Sequence, residues 1–169
     1  IAWHDMSIGA TAEYSTNTSK ILRQSVITNY QFNSFFITAN LAFNLIKYIR
    51  LTDNYKWTIS QSKAGNYINT IRNFSNETSL DVTFLPDRLL LNTTLQYTHN
   101  SGFTDRKDYT FMTLSITFKP SKKVQLVLNF DNILNTDTFV YRSNSNLTEG
   151  YTLYQLRPRC VMLTTHFAL

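Results

Sequence analysis

Apolar and polar residues alternate with a period of two along most of the chain, the pattern of strands with one apolar face. Between Trp3 and Tyr14 the even positions read His4, Met6, Ile8, Ala10, Ala12, Tyr14, and the odd ones include Asp5, Ser7, Thr11 and Glu13. Between Phe32 and Leu45 the apolar parity is odd (Phe35, Ile37, Ala39, Leu41, Phe43, Leu45) against Ser34, Thr38, Asn40 and Asn44. The same alternation recurs over Ile49–Ser60, Ser75–Leu85, Leu89–Asn100, Asp108–Lys119, Lys123–Leu134 and Arg157–Leu169. Eight strands of about 11–14 residues are therefore predicted. Strands of globular domains run about 5–6 residues, whereas a tilted strand crossing a bilayer needs about 9–11.

The predicted connections alternate in length. Lys47-Tyr48, Pro86-Asp87 and Pro120-Ser121-Lys122 are short, whereas Ser15–Gln31, Gln61–Phe74, Ser101–Lys107 and Asn135–Leu156 are longer and polar. Outer-membrane barrels have short periplasmic turns and longer external loops. The expected fold is thus all-β, an antiparallel up-and-down transmembrane β-barrel of about eight strands, with residues 1–169 forming one barrel domain. Arg50, Lys56, Glu77, Asp81, Asp108 and Asp131 are expected on the polar face. Asp53 falls on the apolar parity, a conflict that a local bulge or a place near the rim would remove.

Composition sharpens this expectation. Charged residues make up 16% of the chain, against about 25% in soluble domains. The polar parity carries mainly Ser, Thr, Asn and Gln, as suits a hydrated lumen better than a surface in bulk water. Basic residues give a net charge of +5 but form no run or patch, so no nucleic-acid partner is expected. No apolar stretch reaches the ~18 residues of a transmembrane helix; the longest, Phe35–Ile46, is broken by Thr38, Asn40 and Asn44. No signal peptide follows Ile1, so either a leader has been removed or the chain begins inside a longer protein.

Little suggests chemistry. His4, His99 and His166 lack metal-ligand spacing. Cys160 is the single cysteine, which excludes an internal disulfide and leaves a buried, inert thiol as the simplest reading. Asn17, Asn73, Asn76, Asn92 and Asn146 each begin an Asn-x-Ser/Thr triplet, read as chance in an Asn- and Thr-rich chain. Asp81 and His99 fall on neighbouring strands but on opposite parities, so no positioned acid–base pair is expected. Neither catalysis nor a cofactor is expected, and no catalytic, metal or ligand-binding residue is assigned. Tyr14, Tyr55, Trp57, Tyr97 and Tyr109 read as interface anchors, since barrels carry aromatic girdles.

The last third adds a more specific signal. Val124–Asp131 is followed by Asn132-Ile133-Leu134-Asn135-Thr136, with Phe139 shortly after; a polar loop leads to Leu156-Arg157-Pro158-Arg159 and a final alternating stretch ending Phe167-Ala168-Leu169. This order resembles the C-terminal end of TonB-dependent receptors, most closely the outer-membrane proteins of Bacteroidota-type bacteria. Leu169 stands where that family usually ends on Phe. The resemblance implies a large barrel in the bacterial outer membrane that imports a nutrient ligand. Its expected partners are the bilayer, the outer-membrane assembly machinery, and TonB, the last through a plug region outside this chain. It also implies that Asn135–Leu156 helps to recognise the ligand. The chain is accordingly expected to be part of a larger barrel. The alternatives are a complete eight-stranded barrel of structural or adhesive role, and a soluble β-barrel that binds a ligand inside.

Overall fold

A computed structural model of the chain describes all residues except 1–5, 24, 87, 102–107, 145–148 and 169, and the side chains of residues 23, 142–144 and 149. His4, Asp87, Asn146, Leu169 and most of the predicted Ser101–Lys107 loop therefore lie outside the described residues. The described residues form ten strands: β1 Met6–Arg23, β2 Val26–Ile46, β3 Ile49–Ala64, β4 Tyr67–Leu85, β5 Leu89–Asn100, β6 Asp108–Ser121, β7 Val124–Asp131, β8 Thr138–Asn144, β9 Glu149–Gln155 and β10 Cys160–Phe167. Eight of them make one antiparallel sheet in the order β1-β2-β3-β4-β5-β6-β7-β10, and β8 and β9 pair as a separate hairpin. All the pairings are antiparallel, as the short turns require. No closed barrel forms among the described strands: β1 and β10 are the two edges of an open sheet.

The register carries the alternation across the whole sheet. One transverse row reads Met6, Phe43, Leu51, Leu80, Thr93, Leu114, Phe130, Val161, one residue from each strand. The next apolar row, from β2 to β10, reads Ile46, Ile49, Val82, Leu91, Ile116, Leu128, Leu163. Between them, on the opposite face, runs Asn44, Arg50, Asp81, Asn92, Ser115, Asn129, Met162. The pleat thus sorts the sheet into one apolar and one polar face. No described element covers the apolar face: Leu41, Leu91 and Leu126 are only half-buried and Leu163 is 67% exposed.

Two of the predicted long loops are strands. β1 and β2 pair without a break to Arg23–Val26, and β3 and β4 pair to Ala64–Tyr67. The tips are tight turns in which Ser25 takes φ 65° and Gly65 takes φ 59°, the left-handed region that short hairpin turns require. Parity reading ended these strands early because the apolar phase inverts near Tyr14 and Phe35. Beyond that row the formerly apolar face carries Thr16, Asn33, Gln31 and Gln61; Thr16 donates to Asn33 at 2.8 Å and Gln61 donates to Thr70 at 3.3 Å. The opposite face there becomes apolar, where Tyr30, Phe32 and Ala64 form a buried cluster with Ile21 packed against it. Ile71, 1% exposed, and the buried Ser60 and Ser62 lie on that same face.

At the other end of the sheet the short turns agree with the sequence. Each is preceded by a register shift, between Asn44 and Ile46, Thr83 and Leu85, and Phe118 and Ser121. Such bulges re-aim a strand as it enters a turn, and the third accommodates Pro120, which cannot donate to the ladder.

The two apolar environments differ in what they cost to disrupt. Phe32→Ala should lower stability by about 3 kcal/mol, because it empties a buried site. Leu163→Ala, at an exposed edge, should cost under about 1 kcal/mol. Chemical-unfolding midpoints of the two variants, measured side by side, check this difference.

Candidate ligand-binding site

The hairpin β8–β9 was read from sequence as part of the loop Asn135–Leu156, and it builds a roof over the polar face. Phe139 anchors it. Its ring meets Tyr109 edge-on at 5.0 Å, Phe111 edge-on at 5.7 Å, and Tyr154 of the paired strand stacked at 6.0 Å. Edge-to-face and offset geometries at these separations are the favourable ones for aromatic rings. Tyr109 is 2% exposed. It therefore belongs to this internal contact and not to an aromatic girdle, which corrects the sequence expectation: its odd position in β6 faces opposite to Met112, Leu114 and Ile116.

The motif Asn132-Ile133-Leu134-Asn135-Thr136 fixes where the roof starts. Asn132 and Asn135 hold left-handed backbone, φ 51° and 55°, a conformation that Asn tolerates better than most residues. The Asn132 amide donates to the carbonyls of Thr136 at 2.8 Å and Arg157 at 2.7 Å, and its oxygen accepts from the Thr136 amide at 2.9 Å. Asn135 Oδ1 accepts from the Arg159 backbone at 3.2 Å. The buried Thr136 hydroxyl donates to the Thr110 carbonyl at 2.7 Å. The end of β7, the approach to β10 and the upper part of β6 are thereby tied to one loop.

Under the hairpin lies a cavity of about 200 Å³. Its floor is the polar parity of three neighbouring strands: Lys56 and Thr58 of β3, Asn73 and Ser75 of β4, Gln96 and Thr98 of β5. Its roof is Phe139 and Tyr141 of β8. The Lys56 ammonium sits over the Phe36 ring, 5.3 Å from its centroid, and makes no ion pair with a described carboxylate. The combination of aromatic surface, hydroxyls, amides and one cation can hold a polar ring and orient it. A second cavity of similar size lies at the short-turn end, between Thr83, Leu85, Arg88 and Lys119; it is formed by one turn and its flanking strand ends and has no aromatic wall.

Further down the polar face, charged and polar residues face one another across the strands. Arg50 lies opposite Asp81 in register, and Asn92 donates to Asp81 at 2.6 Å. Ser79 and Thr94 share a hydrogen bond of 3.0 Å. Cys160 is half-buried, with its sulfur 3.9 Å from Asp131.

Two polar clusters stand on the apolar face. Asp53 is flanked by no register shift, so the expected bulge is absent. Its charge is met by hydrogen bonds from Asn76 at 2.6 Å, Thr78 at 2.9 Å and the Tyr55 hydroxyl. Asp108, expected on the polar face, is on the apolar one, because its even position shares the parity of Met112 and Leu114. It binds His99 Nδ1 at 2.8 Å and the Tyr97 hydroxyl at 2.5 Å. That pairing escaped sequence reading because it depends on the β5–β6 register. Asp81 and His99 are on opposite faces and do not meet. Among the described residues no group of three or more His, Cys, Asp and Glu side chains could hold a metal. Asn17, Asn73, Asn76 and Asn92 all lie within strands.

No known family, no curated protein and no solved structure matches this chain. What is defined is therefore a class of architecture: an antiparallel meander with a roofed polar face and an uncovered apolar one.

The clamp should govern the roof. Asn132→Ala removes three hydrogen bonds and disfavours the left-handed backbone, and should cost about 2–4 kcal/mol. Asn132→Gly keeps the backbone and loses only the bonds, so it should cost less. Amide exchange over Thr138–Val140 should accelerate in both, and most in the Ala variant.

Proposed function

We propose that this chain supplies adjacent wall strands of a bacterial outer-membrane β-barrel, of the TonB-dependent receptor kind, that imports a nutrient ligand. The uncovered apolar face carries this reading. A soluble protein rarely exposes a continuous apolar patch of this extent, and hydrocarbon is the solvent that makes it favourable.

The placement of aromatic rings on that face supports the same reading. Phe35 meets Trp57 at 6.2 Å, and Phe74 lies 6.3 Å from Tyr55 and 6.1 Å from Tyr97. These rings line the level at which the apolar phase inverts. From Tyr48 at the short turn to Trp57 is ~30 Å along the strand, or ~23 Å across a bilayer at the ~40° tilt of barrel strands, close to the ~25 Å apolar band such proteins present. Below the rings the wall meets lipid. Above them the long hairpins β1–β2 and β3–β4 stand in water, with their small apolar cluster turned inward. Asp53, with its three donors, is tolerated on the lipid side because its hydrogen bonds are made within the protein.

The open sheet favours a larger barrel over a closed eight-stranded one. β1 and β10 each have one edge without a described partner, and a bilayer-spanning sheet has no unpaired edge in hydrocarbon. Further strands would complete the ring. The polar face then lines the lumen, and the roofed cavity is where ligand would rest on its way through.

A matched pair of substitutions tests the reading. Leu91→Lys puts a charge on the lipid side and should destabilise the membrane-inserted protein by about 2–4 kcal/mol. Thr113→Lys, on the opposite face of β6, should change it little. The protein should also require detergent or lipid to remain folded. A monodisperse, folded protein in plain buffer would refute the proposal.

A further inference from the structure

The cavity under β8–β9 has one feature that a simple polar groove lacks. Lys56, an exposed residue, contributes to its floor a cation without an ion-pair partner among the described carboxylates, and its ammonium lies 5.3 Å from the centroid of the Phe36 ring. Glu77 is the nearest acidic residue by register, opposite Gln96 and Asn54, yet it does not line the cavity. The other wall groups are neutral: Gln96, Thr98 and Asn73 below, Phe139 and Tyr141 above.

Each group favours a different part of a ligand. The aromatic roof offers a face on which a flat or chair-shaped ring stacks. The amide and hydroxyls can both donate and accept, which suits ring substituents. A lysine ammonium without a counter-ion attracts a carboxylate as a point charge, and such charge-assisted bonds are about twice as strong as neutral ones. The volume, about 200 Å³, is below the ~300 Å³ at which drug-sized pockets begin and suits a single ring.

We propose that this cavity binds a single-ring carboxylate, with the carboxylate on Lys56 and the ring beneath Phe139 and Tyr141. The ring is the residue of an acidic sugar or an aromatic acid; the two share the chemistry that the site recognises. The proposal deepens the transport reading and rests on it for the route by which ligand reaches the lumen. It also narrows that reading, since neutral rings of the same size would be poorly held.

The test is calorimetric titration of the purified protein, in detergent, with glucuronate, benzoate, glucose and glucosamine. At least one of the two carboxylates should bind about tenfold or more tightly than both glucose and glucosamine. Preference for glucuronate identifies the sugar acid, and preference for benzoate the aromatic acid. Lys56→Gln should weaken the preferred acid by about tenfold to a hundredfold, the usual effect of losing one charge-assisted bond. Tyr141→Ala should weaken it without changing the preference for an anion. Glu77→Gln, outside the lining, should not weaken it. Equal binding of charged and neutral rings, absence of binding, or loss on Glu77→Gln with none on Lys56→Gln would overturn the proposal. Folding of each variant is checked by the unchanged Trp signal. A protein that needs detergent but binds no acid defeats this inference alone. A protein that is folded in plain buffer and still binds the acid keeps the site and removes its role in transport.

Discussion

The sheet has an apolar face that no described element covers, and the other features of the molecule are arranged around that fact. An antiparallel sheet normally buries one face against a second layer. Here the second layer, the β8–β9 hairpin, sits on the polar face, and the small buried cluster of Tyr30, Phe32 and Ala64 is on that side too. The two apolar rows, one across all eight strands and one from β2 to β10, therefore present mainly Leu, Ile, Val and Phe on the opposite side. On the proposed reading, hydrocarbon takes the place of a protein layer on that surface.

On the proposed membrane reading, the phase inversion in β1–β4 follows from the same constraint. A strand that leaves a bilayer changes solvent on its outer face without changing its pleat. The outward parity must then become polar, as Thr16, Asn33 and Gln61 do, and the inward parity can become apolar wherever it meets other protein. The aromatic rings of Phe35, Trp57, Tyr55, Phe74 and Tyr97 sit at that change. On the inner side, the same height is where Phe139 docks and where the cavity forms. The level of the rings and the level of the cavity are linked by the strand register.

Much of this was legible in the sequence, and the exceptions have physical causes. β5 runs over Leu89–Asn100, as its alternation indicated, because its whole length keeps one phase. β1 to β4 extend well past their predicted ends because alternation restarts there in the opposite phase, which looks like irregular polar sequence to a fixed parity. β8 and β9 were hidden because they are short and held by rings rather than by a long alternating face. The Asn132–Thr136 motif was visible as a pattern, but its purpose needed coordinates: two left-handed residues with side-chain bonds to Arg157 and Arg159, and the Thr136 hydroxyl bound to Thr110. The cavity draws two or three residues from each of four strands, and the pairing of Asp108 with His99 depends on one register; neither leaves a local mark in the chain.

The claim that matters most is which solvent meets the apolar face, and Trp57 reports on it directly. It is one of two tryptophans in this sequence, and a background in which Trp3 and every tryptophan of the remaining barrel strands are replaced by Phe isolates its fluorescence. The protein is reconstituted into bilayers whose lipids carry bromine at graded depths along the acyl chain. The account predicts strong quenching, greatest for bromine near the headgroup end, where an interfacial indole sits. Emission from Trp57 that is the same in brominated and ordinary lipid would contradict it.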